Sequence, residues 1–236
     1  MNEVTTKNFE IDYEKIYLEE PNRLTPTPDD IACELQLSAL GDWAPLTYEL
    51  DQSLWLKNLP LMEPWWHPYQ PKPNVQNDRE CVLIYGAEGD KPNSLSGIRQ
   101  LYEKLGRWPL ETEMNHPTEA QQQLSVMHEV FDTFDLGRTF LIKLNQGGFF
   151  PKHRDHIHLT RESFRLIAFL GDNHKNFEFE LDGIKRTVIP NTVYYFDTRK
   201  EHRLHCWENK NDNAMVVMNI KKDWNNILRL MTKIGH

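Results

Sequence analysis

The pattern of apolar and polar positions changes character near residue 137. Before it, helical spacings are interrupted by proline. In SGIRQLYEKLG, Ile98, Leu101 and Leu105 recur at helical spacing and Gly106 supplies a stop. In PTEAQQQLSVMHEVFDTFD, Ala120, Leu124, Met127, Phe131 and Phe134 form one apolar stripe, and Thr118 with Gln121 matches a capping box. This predicts one continuous helix with His128 half-exposed beside the stripe. CVLIYG at 81–86 reads as a short strand. LPLMEPWWHPYQPKPN at 59–74 holds too many prolines for a helix and is expected to run extended, with Trp65 and Trp66 padding the outside of a core. After Gly137 the period falls to two. RTFLIKLNQ, the GGFFPKHRDHIHL segment, SFRLIAFLG, NFEFEL, GIKRTVI, TVYYFDT, RLHCWEN and AMVVMNI are candidate strands in close succession, which predicts an antiparallel sandwich or jelly roll. DWNNILRLMTKI, with Asp223 as N-cap, closes the chain as a helix.

The expected fold is therefore mainly β with flanking helices in one domain over 1–236. Residues 1–137 form an N-terminal extension with supporting helices, 138–222 the β core and 223–236 the C-terminal helix. Composition narrows the classes. A chain of 236 residues with 39% hydrophobic content buries a real core, which excludes a disordered protein. The formal charge of -8, without a long Lys/Arg run, argues against nucleic-acid binding, which needs a cationic surface. The three cysteines, Cys33, Cys81 and Cys206, are too few and too scattered for a disulfide framework or a metal knuckle and read as packing thiols. No run of about 18 apolar residues and no signal-peptide core occurs, so a cytoplasmic protein without a membrane partner is expected.

Six of the ten histidines lie between 153 and 205, densest in His153-Arg154-Asp155-His156-Ile157-His158. On a strand, His153 and Asp155 share a face, so one imidazole and one carboxylate can meet one ion. RKEHRLH after the strand TVYYFDT offers His202 or His205 as a third ligand. Two histidines and one acid hold Fe(II) on one side and leave the opposite positions open. The supporting parts occur in order: Gly147-Gly148, Pro151-x-His153-x-Asp155, Arg165 in an apolar strand, Asp182-Gly183, Pro190-Asn191, Phe196-Asp197-Thr198 and His202.

With these parts the sequence resembles the 2-oxoglutarate- and Fe(II)-dependent oxygenases, and among them the aspartyl/asparaginyl β-hydroxylase and free-proline hydroxylase groups, over roughly residues 138–222. The resemblance implies a double-stranded β-helix, a cupin-like jelly roll. It also implies iron held by matches to His153, Asp155 and His202, and consumption of 2-oxoglutarate and O2 to give succinate and CO2, with ascorbate as accessory reductant. A small-molecule or peptide substrate would be hydroxylated: an amino acid, a peptide residue or a small metabolite. His202 keeps the short interval from Phe196-Asp197-Thr198 that the family shows, and is preferred to His205. Animal-type aspartyl β-hydroxylases lack the acid of the first motif, whereas this chain keeps Asp155.

Typical members carry an arginine beyond the distal histidine for the far carboxylate of 2-oxoglutarate, and NKNDNAMVVMNI has none. Arg165 is the first choice to replace it, because an unpaired guanidinium in an apolar strand is costly and its fork matches a carboxylate. Lys143 and Lys210 are alternatives. Residues 138–165 hold Arg138, Lys143, Lys152, Arg154, Arg161 and Arg165 against Asp155 and Glu162, a surplus that would attract a dicarboxylate. Two rival readings stand beside this one. His156, His158 and Glu162 match the first metal motif of cupins on the other face of the strand, although Thr192 and Cys206 stand where that pattern expects glycine and asparagine. A metal-free binding protein on a degenerate roll, recognising partners through Trp65, Trp66 and Tyr69, is the other.

Overall fold

The computed structural model of the chain describes residues 26–69, 78–94, 106, 109–155, 162–172, 177–208 and 212–235. Two antiparallel sheets pack face to face. The larger runs, in order, through β1 (Trp43–Pro45), β10 (Thr192–Phe196), β7 (Ser163–Leu170), β12 (Ala214–Lys221), β5 (Leu136–Leu144), β3 (Arg79–Gly86) and β2 (His67–Pro68), with β4 (His116–Pro117) paired to β3. The smaller is β6 (Phe149–His153), β11 (His202–Cys206), β8 (Phe177–Leu181) and β9 (Ile184–Arg186). From β5 onward the chain crosses between the sheets, so β10-β7-β12-β5 faces β6-β11-β8-β9 in the winding of a double-stranded β-helix. All eight strands expected after residue 137 are present.

Strand alternation explains why the large sheet is apolar throughout. Phe140, Ile142, Ile167, Phe169 and Met215 point between the sheets, while Leu141, Leu166, Ala168 and Val216 point to a second core under the helices. That second layer consists of α1 (Pro28–Ala39), α2 (Gln52–Met62), α3 (Glu119–Gln123), α4 (His128–Thr133) and α5 (Trp224–Thr232). Asp223 caps α5 by accepting from the Asn226 amide at 3.0 Å, as expected. Cys33, Cys81 and Cys206 are free and buried. No helix among the described residues is long and apolar enough to cross a membrane.

The structure corrects two expectations. The stripe from Ala120 to Phe134 is buried, but the helix that carries it is broken into α3, a 3-10 turn at Ser125–Met127 and α4. Asn58 of α2 enters at the break. Its Oδ1 accepts from the Val126 amide at 3.0 Å and its Nδ2 donates to the Ser125 hydroxyl at 3.0 Å, replacing bonds that a continuous helix would make. The Thr118 hydroxyl makes no cap; it donates to the Leu83 carbonyl at 2.7 Å. Second, residues 59–65 are helical. Asp51 caps α2, whose buried stripe is Trp55, Asn58 and Met62, and the chain passes through Pro60 into a 3-10 turn at Glu63–Trp65. The carbonyl left without a donor by Pro60 is that of Leu56, on an exposed stretch where water can reach it. Trp65 and Trp66 do pad the helix-side core. The helix expected over 96–105 lies outside the described residues.

Candidate metal centre

His153 is the last residue of β6 and His202 the first of β11, and the two are registered partners across the small sheet. Their rings lie 4.3 Å apart, centroid to centroid. The turn that returns β5 into β6 sets this register. Gly147 donates to the Cys206 carbonyl and Cys206 to that of Gly148, both at 2.9 Å. A Cβ on Gly148 would meet the Asp78 carbonyl at 2.7 Å, so only glycine fits that approach. Asp155 reaches the same point by another route than expected. The strand ends at His153, and Asp155 is clipped in place by its backbone amide, which donates to the Thr198 carbonyl in the β10–β11 loop at 3.0 Å. The pleat does not carry it there.

The potential ligand atoms of His153, Asp155 and His202 all lie within 4.8 Å of one another. Nδ1 of His153 stands 2.6 Å from the Pro151 carbonyl, and Nδ1 of His202 stands 2.9 Å from the Lys200 carbonyl. A carbonyl only accepts, so each Nδ1 carries the hydrogen and each Nε2 presents a lone pair. Nε2 of His153 is 3.7 Å from Oδ1 of Asp155. Burial pushes the His202 pKa down, outweighing the upward pull of Asp155, which keeps the ring neutral as a ligand must be. Burial would raise the Asp155 pKa, but Arg165, then His202 and His153, more than offset it, and the net direction is down.

The remaining expected site residues fall in different places. Arg165, on β7, has Nη1 2.5 Å from Oδ2 of Asp155, and its Nε and Nη2 donate to Oδ1 of Asn219 at 3.2 and 2.9 Å. Nη1 forms a close ion pair with Oδ2, and the Thr198 side chain also hydrogen-bonds the carboxyl group. Arg165 is thus at the centre, paired with the carboxylate of the triad. Lys143 lies on the opposite face of β5 from Phe140 and Ile142, with Leu141, where it pairs with Glu80 at 3.3 Å and sits over the Trp66 ring at 4.6 Å. It is turned away from the interior that holds the triad. Lys210, Arg161, His156 and His158 lie outside the described residues; the Glu162 carbonyl accepts from the Lys222 amide at 2.9 Å. His205 points outward against Trp207. The local cationic surplus is mostly paired: Arg138 with buried Glu111, Lys152 with Glu201, and Arg165 with Asp155.

Sequence reasoning missed Arg79. Its guanidinium lies over Tyr69 and Phe150, at 5.0 and 4.3 Å from the ring centroids, and its Nε is buried with no hydrogen-bond partner. Among the described residues no carboxylate pairs with it. It opens β3 on the side of Cys81 and Leu83, which face between the sheets, and that alternation was the available signal. A shallow cleft of about 20 Å³ is bounded by Glu34, Ser163, Arg165, Phe196, Thr198 and Arg199; of these Arg165 contacts Asp155, but none of the triad itself lines it. Arg199, clamped by both carboxylate oxygens of Asp197 and by Glu34, forms one wall.

No family model matches the chain, and no curated protein sequence is similar to it. Among solved structures it is similar to a 2OG-Fe(II) oxygenase family oxidoreductase from Burkholderia pseudomallei (TM-score 0.45, 13% identity, 85% of this chain and 93% of that one). It is similar to a Trichoplax adhaerens prolyl hydroxylase in complex with a hypoxia inducible factor peptide (0.45, 11%, 87% and 98%). Over a smaller share it is similar to KdgF from Halomonas sp. (0.28, 17%, 36% and 68%).

Proposed function

We propose that the protein is an Fe(II)- and 2-oxoglutarate-dependent dioxygenase that hydroxylates an amino acid, a peptide residue or a small metabolite. The observation that carries this reading is the convergence of His153, Asp155 and His202, with each imidazole tethered through Nδ1 so that its Nε2 keeps a lone pair. Two imidazoles and a carboxylate suit Fe(II) in the donor set, and Oδ1 of Asp155 is the carboxylate oxygen turned to the His153 Nε2. These three residues would hold the metal. When bound, it supplies open positions for a chelating 2-oxo acid and for dioxygen. The overall conversion balances as R–H, 2-oxoglutarate and O2 giving R–OH, succinate and CO2, with ascorbate as accessory reductant.

The protein's own contribution is orientation and charge. Phe196 packs edge-on against the His202 ring at 5.5 Å and shields its inner side from water. We assign the far carboxylate of the 2-oxo acid to Arg79. It is the interior guanidinium without a carboxylate among the described residues, and its place over aromatic faces in a partly desolvated space strengthens a charge-assisted pair. Arg165, the first choice from sequence, is committed to Asp155 instead.

Anaerobic titration of the protein with Fe(II) and 2-oxoglutarate tests the reading. A weak visible charge-transfer band is expected, absent in His153→Ala. Succinate release above the His153→Ala background, assayed against amino acids and peptides, then identifies the substrate class. No band and no succinate would sink the proposal.

A further inference from the structure

Arg165 sits where a cation ought to weaken a metal site, 2.5 Å from a ligand carboxylate. It is held there by a buried chain of side chains. Asn219, 3% exposed and the registered partner of Arg165 across β7 and β12, takes Nε and Nη2 on its single Oδ1. Its Nδ2 is fixed in turn by the Arg138 carbonyl at 2.8 Å and by Oε2 of Glu111 at 3.2 Å. Glu111, 2% exposed, receives the Arg138 side chain on both oxygens. Gly137 allows this approach, since a Cβ there would meet the Glu111 carbonyl at 2.4 Å. The guanidinium therefore cannot follow solvent or swing freely. Its orientation is built in.

The two oxygens of Asp155 face different ways. Oδ1 is the one turned to His153 Nε2, and Oδ2 is the one beside Arg165. We infer that Arg165 is a positioning residue: carried by Asn219, it restrains Oδ2 so that Asp155 offers the metal a single oxygen, Oδ1. This rests on the metal reading above. A carboxylate held at one oxygen cannot close over the ion with both, so an additional coordination position stays open for co-substrate. The retained positive charge also leaves the centre more cationic than its ligands alone would make it, which favours a dianionic ligand.

Cobalt(II) is the probe, because its visible bands report coordination number and its binding is measured without turnover. Charge alone and positioning predict different spectra. If Arg165 acted only by its charge, Arg165→Met would tighten cobalt binding and Arg165→Lys would leave it unchanged, both with the wild-type bands. Positioning predicts that in both variants the visible bands lose intensity as the second carboxylate oxygen joins the ion, because lysine keeps the charge but lacks the fork. Asn219→Ala, which removes the support and leaves the arginine, should change the bands in the same direction by a smaller amount. Circular dichroism checks folding; should Arg165→Met not fold, Arg165→Lys and Asn219→Ala decide the matter. Wild-type bands in Arg165→Lys would overturn the inference. A wild-type protein that binds no cobalt sinks the metal reading itself, whereas one that binds cobalt normally but releases no succinate sinks only the oxygenase reading.

Discussion

The two sheets of the roll do different work. The larger is buried on both faces, between the helices on one side and the interior on the other, and its strands are runs of Val, Ile, Leu and Phe. The smaller buries only its inner face. Its outer face is a ladder of ion pairs, with Arg203 bridging Glu178 and Glu180 and Lys185 on Glu178. Yet both histidines of the triad come from the smaller sheet. The larger one reaches the site through single polar side chains at its rim, Arg165, Asn219 and Arg138. Burial is thus heaviest in one layer and both candidate histidine ligands lie in the other, and the rim joins them.

This division can be broken experimentally from either side. The largest effect is expected from the candidate ligands: His153→Ala, Asp155→Ala or His202→Ala should abolish metal binding measured by titration, while the melting temperature of the metal-free protein moves little for half-buried His153. If cobalt still binds to each single variant, the triad is not the site. Next is the helix side. Trp55 is fully buried and its Nε1 donates to the Asp212 carbonyl at 2.7 Å. Trp55→Ala should cost about 3 to 5 kcal/mol of stability by denaturant unfolding. The folded fraction should keep wild-type metal affinity, and a matching loss of affinity would show that the layers are not separable.

Arg79→Met sharpens the contrast within the interior. Losing a charge-assisted pair should raise the KM for 2-oxoglutarate about tenfold to a hundredfold and leave metal affinity unchanged. An unchanged KM would return the search for the carboxylate partner to other cations. The smallest effect belongs to the outer ladder. Arg203→Ala should leave the melting temperature and succinate release within error of wild type, since exposed ion pairs are screened; a marked loss of either would mean that the ladder braces β11 and with it His202.

Much of this was legible in the sequence because period-two alternation and turn residues are local signals. The strands from Leu136 to Lys221 and the Asp223 cap of the last helix follow from local pattern, and His153 and Asp155 from their spacing, whereas His202 was preferred to His205 by the interval that the resembling family shows. What was not legible depends on contacts between distant segments. Nothing in PTEAQQQLSVMHEVFDTFD announces that Asn58 will enter and break the helix. The face of Lys143 follows from strand phase, but a single apolar strand does not say which face is interior when both are buried. The commitment of Arg165 to Asp155 depends on Asn219 and Glu111, ordinary polar residues in sequence whose roles exist only after β5, β7 and β12 pair. Arg79 was lost to a strand start placed at Cys81 rather than two residues earlier.

The imidazole tethers have an evolutionary consequence. Each ring is fastened by the main chain two residues upstream, at Pro151 and at Lys200, so its aim is inherited with the backbone and not with any neighbouring side chain. Mutational drift around the histidines can therefore proceed without misdirecting them. The carboxylate enjoys no such immunity, and divergence among descendants of this chain should be most constrained along the polar thread that steers Asp155.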